Sequence, residues 1–528
     1  MYMKYSWVLV LCLLSISETF SQAAKRRLPS SVNHPAINHF APFMSVDGDA
    51  IVFLSDNAED YVLTPFYSSR NPRSDWKQPE ALPKTLHTRL NFLWGYTLSP
   101  DGRFLYFSTI KSPGVGGYDM WFSERKGTGW AQPINLAAPL NSRSNEACAT
   151  LTPDLKTIYF MRCEQMDQQG ASGCVIMSAR RRSNGQWDEP VALPASVNTG
   201  NSQAPRILAD AETLIFSSDK FPGARGGMDL YVTRLKDGTW TNPVALEFAN
   251  TTENDQFVSV NGVGRYLLRD APGSRKREMA EYLIPAPLRP KGMMRVEGMI
   301  AGMEGSTVPV YISVVDLIAG YRIFSGRPDR GGAFKLYLPE GSQYEVSVDP
   351  EQSNYMFYSR KFDLTDSIEQ VVRISAPVKP LKKGDEIELS QVEFSEYGAE
   401  LLPGAENELK KIARLIKGNF GMQFEIQVTM AGYAEDSIQS MPDLTEVRYD
   451  SSWTTMDEID SLGQLYKRDT CMVSMLFHND RTVAQAENVV AYLMGQGVPE
   501  SRMTYFVNSR PALPEEKKKI LVKVRALP

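Results

Sequence analysis

Phe424–Glu435, FEIQVTMAGYAE, alternates Phe424, Ile426, Val428 and Met430 with Glu425, Gln427 and Thr429, the period of a strand with one buried face. Gly432 ends the run, so a short polar loop carrying Tyr433, Glu435 and Asp436 leaves the sheet there. Upstream, Leu409, Ile412, Ala413 and Ile416 fall on one helical stripe between Pro403 and Lys417. Downstream, Thr482–Leu493 reads as a second helix with Val483, Ala486, Val489 and Leu493 on one side, closed by Gly495 and Gly497. Ile520, Val522 and Val524 alternate in a closing strand. Together these elements predict an α+β domain over 385–528.

Three of its phrases carry a family resemblance. IELSQVEFSEYGAELLPGAENELKKIARLIKGN, from Ile387, AENVVAYLMGQGV, from Ala486, and Lys518-Lys519-Ile520 resemble the opening strand and first helix, the second helix and the closing strand of the OmpA C-terminal, peptidoglycan-binding family. The resemblance covers roughly the last quarter of the chain and implies an OmpA-like domain. In that family a stem-peptide diaminopimelate is held between the aspartate of a G-H-T-D phrase and the arginine of an L-S-x-x-R-A phrase. A zwitterionic amino-acid end wants one carboxylate for its ammonium and one guanidinium for its carboxylate.

Here GYAE (Gly432–Glu435) stands for G-H-T-D, putting Glu435 at the aspartate position with Asp436 beside it. The arginine position falls on Gln485, followed by the expected Ala486. Gln485 lacks the positive charge, and Thr482-x-x-Gln485 reads equally as a helix capping box. Arg481, where the family usually has leucine, is the nearest cation in sequence. The candidate peptidoglycan-binding residues are therefore Tyr433, Glu435, Asp436, Arg481 and Gln485. Between the two halves of this site, Asp436–Phe477 replaces what is normally a short loop. It carries eight acidic side chains against three basic ones, and a segment that long is usually functional or mobile. It is open whether it covers the pocket, repels an anionic glycan, binds a partner or is a solvated excursion.

Residues 35–285 are repetitive, with a period of roughly 53 residues. Ser45-Val46-Asp47-Gly48, Ser99-Pro100-Asp101-Gly102, Thr152-Pro153-Asp154 and Leu208-Ala209-Asp210 each precede a β-rich run (IVFLS, FLYFS, TIYFM, TLIFS), and Asn261-Gly262 begins a weaker fifth copy. Gly116-Gly117-Tyr118-Asp119 recurs as Gly226-Gly227-Met228-Asp229, and W-x-x-P recurs at Trp76, Trp130, Trp187 and Trp240. The repeats resemble the PD40 or WD40-like β-propeller family, related to the TolB propeller, with five blades, or six if the ends pair to close the ring. The repeated aspartates are expected to make turns and the tryptophans to pack between blades.

After Pro285, Pro287 and Pro290, residues 292–376 alternate in short runs around glycine turns, predicting a small β-sandwich. Gly332–Phe334, Pro339–Gly341 and Tyr344–Val346 resemble phrases of the carboxypeptidase regulatory-like domain, a spacer or adhesive module that implies no peptidase activity. Tyr355-Met356-Phe357-Tyr358 is expected to pack on the sandwich's own core. Pro377–Gly384, with three lysines, reads as a second linker. The predicted fold class is thus multidomain: an all-β propeller, then a small β-sandwich, then an α+β OmpA-like domain.

Composition limits the function classes. The chain has 528 residues, 42% hydrophobic and 23% charged, with a net charge of −5, which argues against a nucleic-acid partner. Residues 1–23 read as a secretory signal peptide: Lys4, an apolar run from Trp7 to Ile16, and small residues at Ser21-Gln22-Ala23. Cys12 follows Leu11 within the apolar run, which argues against a lipid anchor. The other cysteines are Cys148, Cys163, Cys174 and Cys471, with Cys163 and Cys174 flanking a hairpin as the favoured disulfide pair. No C-x-x-C or His/Cys cluster suggests a metal, and no cofactor is called for. No G-x-S-x-G elbow is present, and the four histidines have no triad context.

The domain order resembles that of PorE-type Bacteroidetes envelope proteins of the type IX secretion system. That resemblance implies a non-enzymatic periplasmic scaffold associated with the outer membrane or cell wall, with peptidoglycan at its C-terminal domain and an envelope or secretion-system protein at its propeller. The alternatives are an OmpA-like domain that has lost peptidoglycan and serves protein contacts alone, or an envelope hydrolase.

Overall fold

The computed structural model describes residues 25–56, 63–70, 75–88, 95–167, 170–273, 275–301, 308–366, 371–395, 398–430, 445–479, 481–509 and 519–526. The predicted signal peptide, the loop bearing Tyr433, Glu435 and Asp436, and Lys518 lie outside them. The chain divides into two compact units, 1–294 and 295–528.

The first unit is a propeller of five antiparallel sheets, three of four strands and two of five, with one further two-stranded ribbon, among the described residues. Their innermost strands begin at His39, Thr97, Asn145, Gln203 and Ser259. Each blade is consecutive in sequence except the fifth, whose outermost strand is the N-terminal segment Lys25–Arg27, paired antiparallel with Arg277–Leu283. The ends of the unit thus share one sheet, which closes the ring at five blades. Ion pairs strengthen that seam: Lys25 and Arg27 meet Glu278, and Arg26 meets Glu281.

The repeated motifs do local work. Asp101 accepts from the Ser99 hydroxyl and the Arg103 N–H, and Asp154 from the Thr152 hydroxyl and the Lys156 N–H. Asp210 accepts from the N–H groups of Glu212 and Thr213. These contacts are turn chemistry. The Gly-Gly-x-Asp phrase clasps one blade to the next. Asp119 accepts from the N–H groups of Val115 and Gly116, while Asn145 of the next blade accepts from the Tyr118 N–H. Asp229, Arg225, Gly226, Met228 and Asn254 repeat the arrangement. A Cβ on Gly116 would lie 2.1 Å from the Ser142 carbonyl oxygen, and one on Gly226 2.1 Å from that of Glu253, so the close approach demands glycine. The repeated tryptophans pack sideways, Trp130 edge-on to Tyr67 and Trp240 edge-on to Tyr159 of the preceding blades. Cys163 and Cys174 are joined by a disulfide, while Cys148 is free and buried and Cys471 free and exposed.

In the second unit, Met293–Ala301, Ala333–Pro339 and Val371–Pro377 form one sheet, and Val310–Asp316, Tyr321–Gly326, Gln343–Pro350 and Tyr358–Asp363 the other. The sandwich docks on the α+β domain, whose elements are β1 (Glu386–Glu388), α1 (Ala405–Gly418), β2 (Met422–Met430), β3 (Thr445–Ile459), β4 (Leu465–Asn479), α2 (Thr482–Gly495), β5 (Met503–Ser509) and β6 (Lys519–Ala526). The strand order is β1-β6-β2-β5, with β2 and β5 parallel and the other pairs antiparallel; β3 and β4 form a separate hairpin. Phe424, Ile426, Val428, Val522 and Val524 are fully buried against Leu409, Ile412, Ile416, Ala486, Val489 and Leu493, as the period-2 and helical patterns predict.

Three expectations are corrected here. Met356 and Phe357 join the core of the α+β domain rather than remaining a sandwich edge. Val483 is exposed, and Thr482, Gln485 and Ala486 face inward instead. The hydrophobic stripe is rotated because the first turn of α2 is buried through polar residues, which an apolar count does not see. The Pro377–Gly384 segment is docked rather than free: Leu381 is in the shared core and Lys379 pairs with Asp385 at 2.6 Å.

Candidate functional site

The parallel strands β2 and β5 end at Met430 and Ser509, and the crossover helix α2 between them begins at Thr482. The carboxyl ends of two parallel strands and the N-terminus of their connecting helix therefore share one edge, the place where α/β arrangements bind ligands. Tyr433, Glu435 and Asp436 follow β2 directly in sequence. The hairpin β3–β4 rises from the same crossover.

Arg481 immediately precedes α2 and is fully buried; its carbonyl accepts the Gln485 N–H at 2.9 Å. It is engaged in the structure, as a buried guanidinium must be. Gln485 is buried too, one turn into the helix. Its Nε2 donates to the Gly398 carbonyl at 2.9 Å, and one turn further on Asn488 donates to Ala399 at 2.7 Å. The predicted capping box is therefore not formed: α2 has no side-chain cap, its cap position is Arg481, and Thr482 already lies inside the helix. The amide of Gln485 holds the loop before α1 rather than its own helix end. Of the candidate residues, the structure brings Arg481 and Gln485 together at the α2 N-terminus, while Tyr433, Glu435 and Asp436 lie outside the described residues.

Charge also concentrates where the sandwich meets α1. Lys411 pairs with Glu345 at 2.5 Å and lies 3.9 Å from Asp349, and Arg414 lies 3.7 Å from Asp349. Beneath them, Glu408 accepts from the Gln391 N–H at 2.8 Å. Burial pushes its carboxyl up to about 7, with the Gln391 N–H opposing the shift, and burial also raises Asp349 against the pull of Lys411 and Arg414. Asn419 donates to the Ser353 carbonyl at 3.0 Å, and a Cβ on Gly418 would meet the Ser353 hydroxyl at 2.2 Å. These groups lock the two modules together, beside a small cavity lined by Pro350, Ser353, Phe357, Lys411 and Arg414.

In the propeller, Arg206 is buried beside the Cys148 thiol with its guanidinium 5.4 Å from the centre of the Phe43 ring. Desolvation lowers the arginine, and burial pushes the thiol up to about 11 despite the nearby cation. His39 Nδ1 is 3.2 Å from Ser55 Oγ, but Ser55 donates to the Asn38 carbonyl, His39 Nε2 faces the His34 carbonyl, and both side chains are buried. This is a buried, hydrogen-bonded packing pair.

Sequence reasoning missed two features. The strand β5 is short and its Tyr505 and Phe506 are exposed, so it shows no clean period. Asp436–Phe477 reads in sequence as an acidic segment, yet residues 445–479 form a hairpin of two fifteen-residue strands. Its signal was present as two β-rich runs around Asp460-Ser461-Leu462-Gly463. There Asp460 accepts from the Leu462 and Gln464 N–H groups and Gly463 takes φ +82°, a three-residue hairpin loop with a left-handed glycine.

No family model matches the chain, and no curated protein matches it. Among solved structures, a putative TolB from Agrobacterium tumefaciens is similar at 17% identity over 57% of this chain and 90% of that one, with a TM-score of 0.28. An endo-arabinase from Bacteroides thetaiotaomicron VPI-5482 aligns at 16% identity over 49% of this chain and 97% of that one, with a TM-score of 0.33. The tricorn protease aligns at 11% identity over 44% of this chain and 24% of that one, with a TM-score of 0.28. At these TM-scores none of the likenesses bears on what this chain does.

Proposed function

We propose that this protein is a non-enzymatic scaffold of the cell envelope, exported to the periplasm, whose C-terminal OmpA-like domain associates with peptidoglycan while its propeller binds an envelope or secretion-system protein. The observation that carries the reading is the shared edge of β2, β5 and α2. A guanidinium, Arg481, stands at the helix N-terminus, and Glu435 and Asp436 follow the last residue of β2 by five and six positions in sequence. A cation at this edge, with one or two carboxylates in the segment that follows β2 in sequence, suits the zwitterionic tip of a stem peptide. The strand-helix-strand order and its buried stripes support the OmpA-like assignment. In this reading Arg481 supplies the positive charge, because Gln485 is committed to Gly398. Glu435 and Asp436 receive the ammonium, and Tyr433 lines the loop.

A second reading, a domain that has lost peptidoglycan and serves protein contacts alone, is favoured by the complete burial of Arg481. Retention of the full chain on purified sacculi separates the two. The anchor reading expects retention that falls at least tenfold in Glu435→Ala and in Arg481→Lys, with thermal stability tracked in parallel. Absence of retention by the folded wild-type protein overturns it in favour of the protein-only scaffold.

A further inference from the structure

The hairpin β3–β4 exposes an apolar face. Paired residues of an antiparallel ladder point to the same side, and successive rungs alternate. The rungs Tyr449–Met475, Ser451–Val473, Trp453–Cys471, Thr455–Asp469, Asp457–Lys467 and Ile459–Leu465 therefore share one face. Trp453 is 73% exposed, Ile459 68%, Leu465 69%, and Leu462 at the tip 84%. Tyr449, Val473 and Met475 are also exposed. A lone two-stranded hairpin is marginal in water, and long exposed strands with apolar faces are pairing sites. Contiguous exposed apolar surface of this kind marks an interaction site.

We propose that this face pairs with its own copy in a second molecule, making the protein a two-fold dimer through an antiparallel, face-to-face packing of the two hairpins. The face is self-complementary about the level of Met456. Two apolar clusters, Trp453 with Val473 and Ile459 with Leu462 and Leu465, flank a polar band of Thr455, Asp469, Asp457 and Lys467. Turning a second copy about a two-fold axis at that level lays each tip cluster over the mate's Trp453 and Val473. It also brings Asp469 against the mate's Lys467, twice by symmetry. The ends match as well, because the rung Ser451–Val473 meets the level of the turn residues 461 and 463, and the rung Tyr449–Met475 falls just beyond the mate's tip.

Size agrees with this occupant. A fifteen-residue ribbon is about 50 Å long and about 10 Å wide, so two copies bury on the order of 1,000 Å², the lower bound for a specific interface. A lipid surface fits less well, since the segment from 436 to 477 carries eight acidic and three basic side chains and interfacial binding favours the reverse.

The test uses the full chain without its first 23 residues. Sedimentation is expected to give a dimer at micromolar concentration. Trp453→Ser should weaken it by roughly thirtyfold or more, the scale of a central aromatic anchor, with the propeller's melting unchanged. The single charge reversal Asp469→Lys should also weaken the dimer, and combining it with Lys467→Asp should restore it. A spin label on Cys471 should report a distance between copies of about 20–25 Å, from six residues of offset at about 3.3 Å each and a sheet spacing of about 10 Å. A monomeric wild type, a dimer indifferent to Trp453→Ser, no rescue by the double charge reversal, or a monomer that binds vesicles of neutral phosphatidylcholine through this hairpin would each overturn the proposal.

Discussion

Glu408 shows how a single buried group carries a pH dependence. Its carboxyl is fully buried and accepts the Gln391 N–H at Oε2, and the Ser390 backbone N–H also favours its charged form. Its folded pKa of about 7 lies above the ordinary 4.5, so folding favours the protonated form. The associated stabilisation is complete below pH 4.5 and is lost as the pH rises through 7. Glu408→Gln should therefore raise stability at pH 8 by up to roughly 3 kcal/mol and flatten the slope between pH 4.5 and 7. Urea titrations at pH 5 and pH 8 check this, and an unchanged slope in the variant would assign the dependence elsewhere. Nothing in ENELKK announces such a group. Glu408 sits at a helical position that sequence alone assigns to a solvated face, and the sandwich docked over α1 is what buries it.

At the scale of elements, the glycine pairs were legible as a repeat but not as a clasp. Sequence shows Gly116-Gly117 and Gly226-Gly227 at matching places, whereas the reason for glycine, a carbonyl from the next blade's loop 2.1 Å from any Cβ, exists only once blades are adjacent. Gly226→Ala should lower stability of the propeller by about 2 kcal/mol or more, since backbone rather than a flexible side chain must move. Thermal melting followed by near-ultraviolet circular dichroism measures it. The bend of the innermost strands was hidden altogether. Ala41, Cys148, Ala204 and Phe257 adopt φ between 46° and 58° or, at Ala41, 45°, and Gly95 takes +77° at the corresponding place in the second blade. Four of these five positions are not glycine, so the residue type that normally reveals a left-handed backbone is missing. The helix α2 teaches the same lesson, its inward face being set by Gln485 reaching Gly398 across 87 residues of sequence.

Over the whole molecule, the propeller and the sandwich-plus-α+β unit are two compact units, and within the second the sandwich and the α+β domain share core residues. Met356, Phe357 and Leu381 join the helices and sheet of the α+β domain, and Lys411 holds the buried Glu345. Lys411→Met should cost about 3–5 kcal/mol by leaving that carboxylate uncompensated, and calorimetry should show the sandwich and α+β transitions moving down together while the propeller's stays in place. A single-module shift would mean that the cluster does not couple them.

By itself, the sequence determined the order of modules, the five repeats, the buried faces of β2, α1 and β6, and the choice of Cys163 and Cys174 as neighbours across a hairpin. All of these follow from local periodicity and turn chemistry, which act over a few residues. Only the tertiary structure decided that Lys25–Arg27 closes the propeller, that Gln485 is spent on Gly398, that Arg481 is buried at the α2 N-terminus, and that the acidic segment presents an exposed apolar face. Each of those depends on which distant backbone or side chain arrives to satisfy a charge, a hydrogen bond or an exposed strand, and that information is carried by packing rather than by sequence spacing.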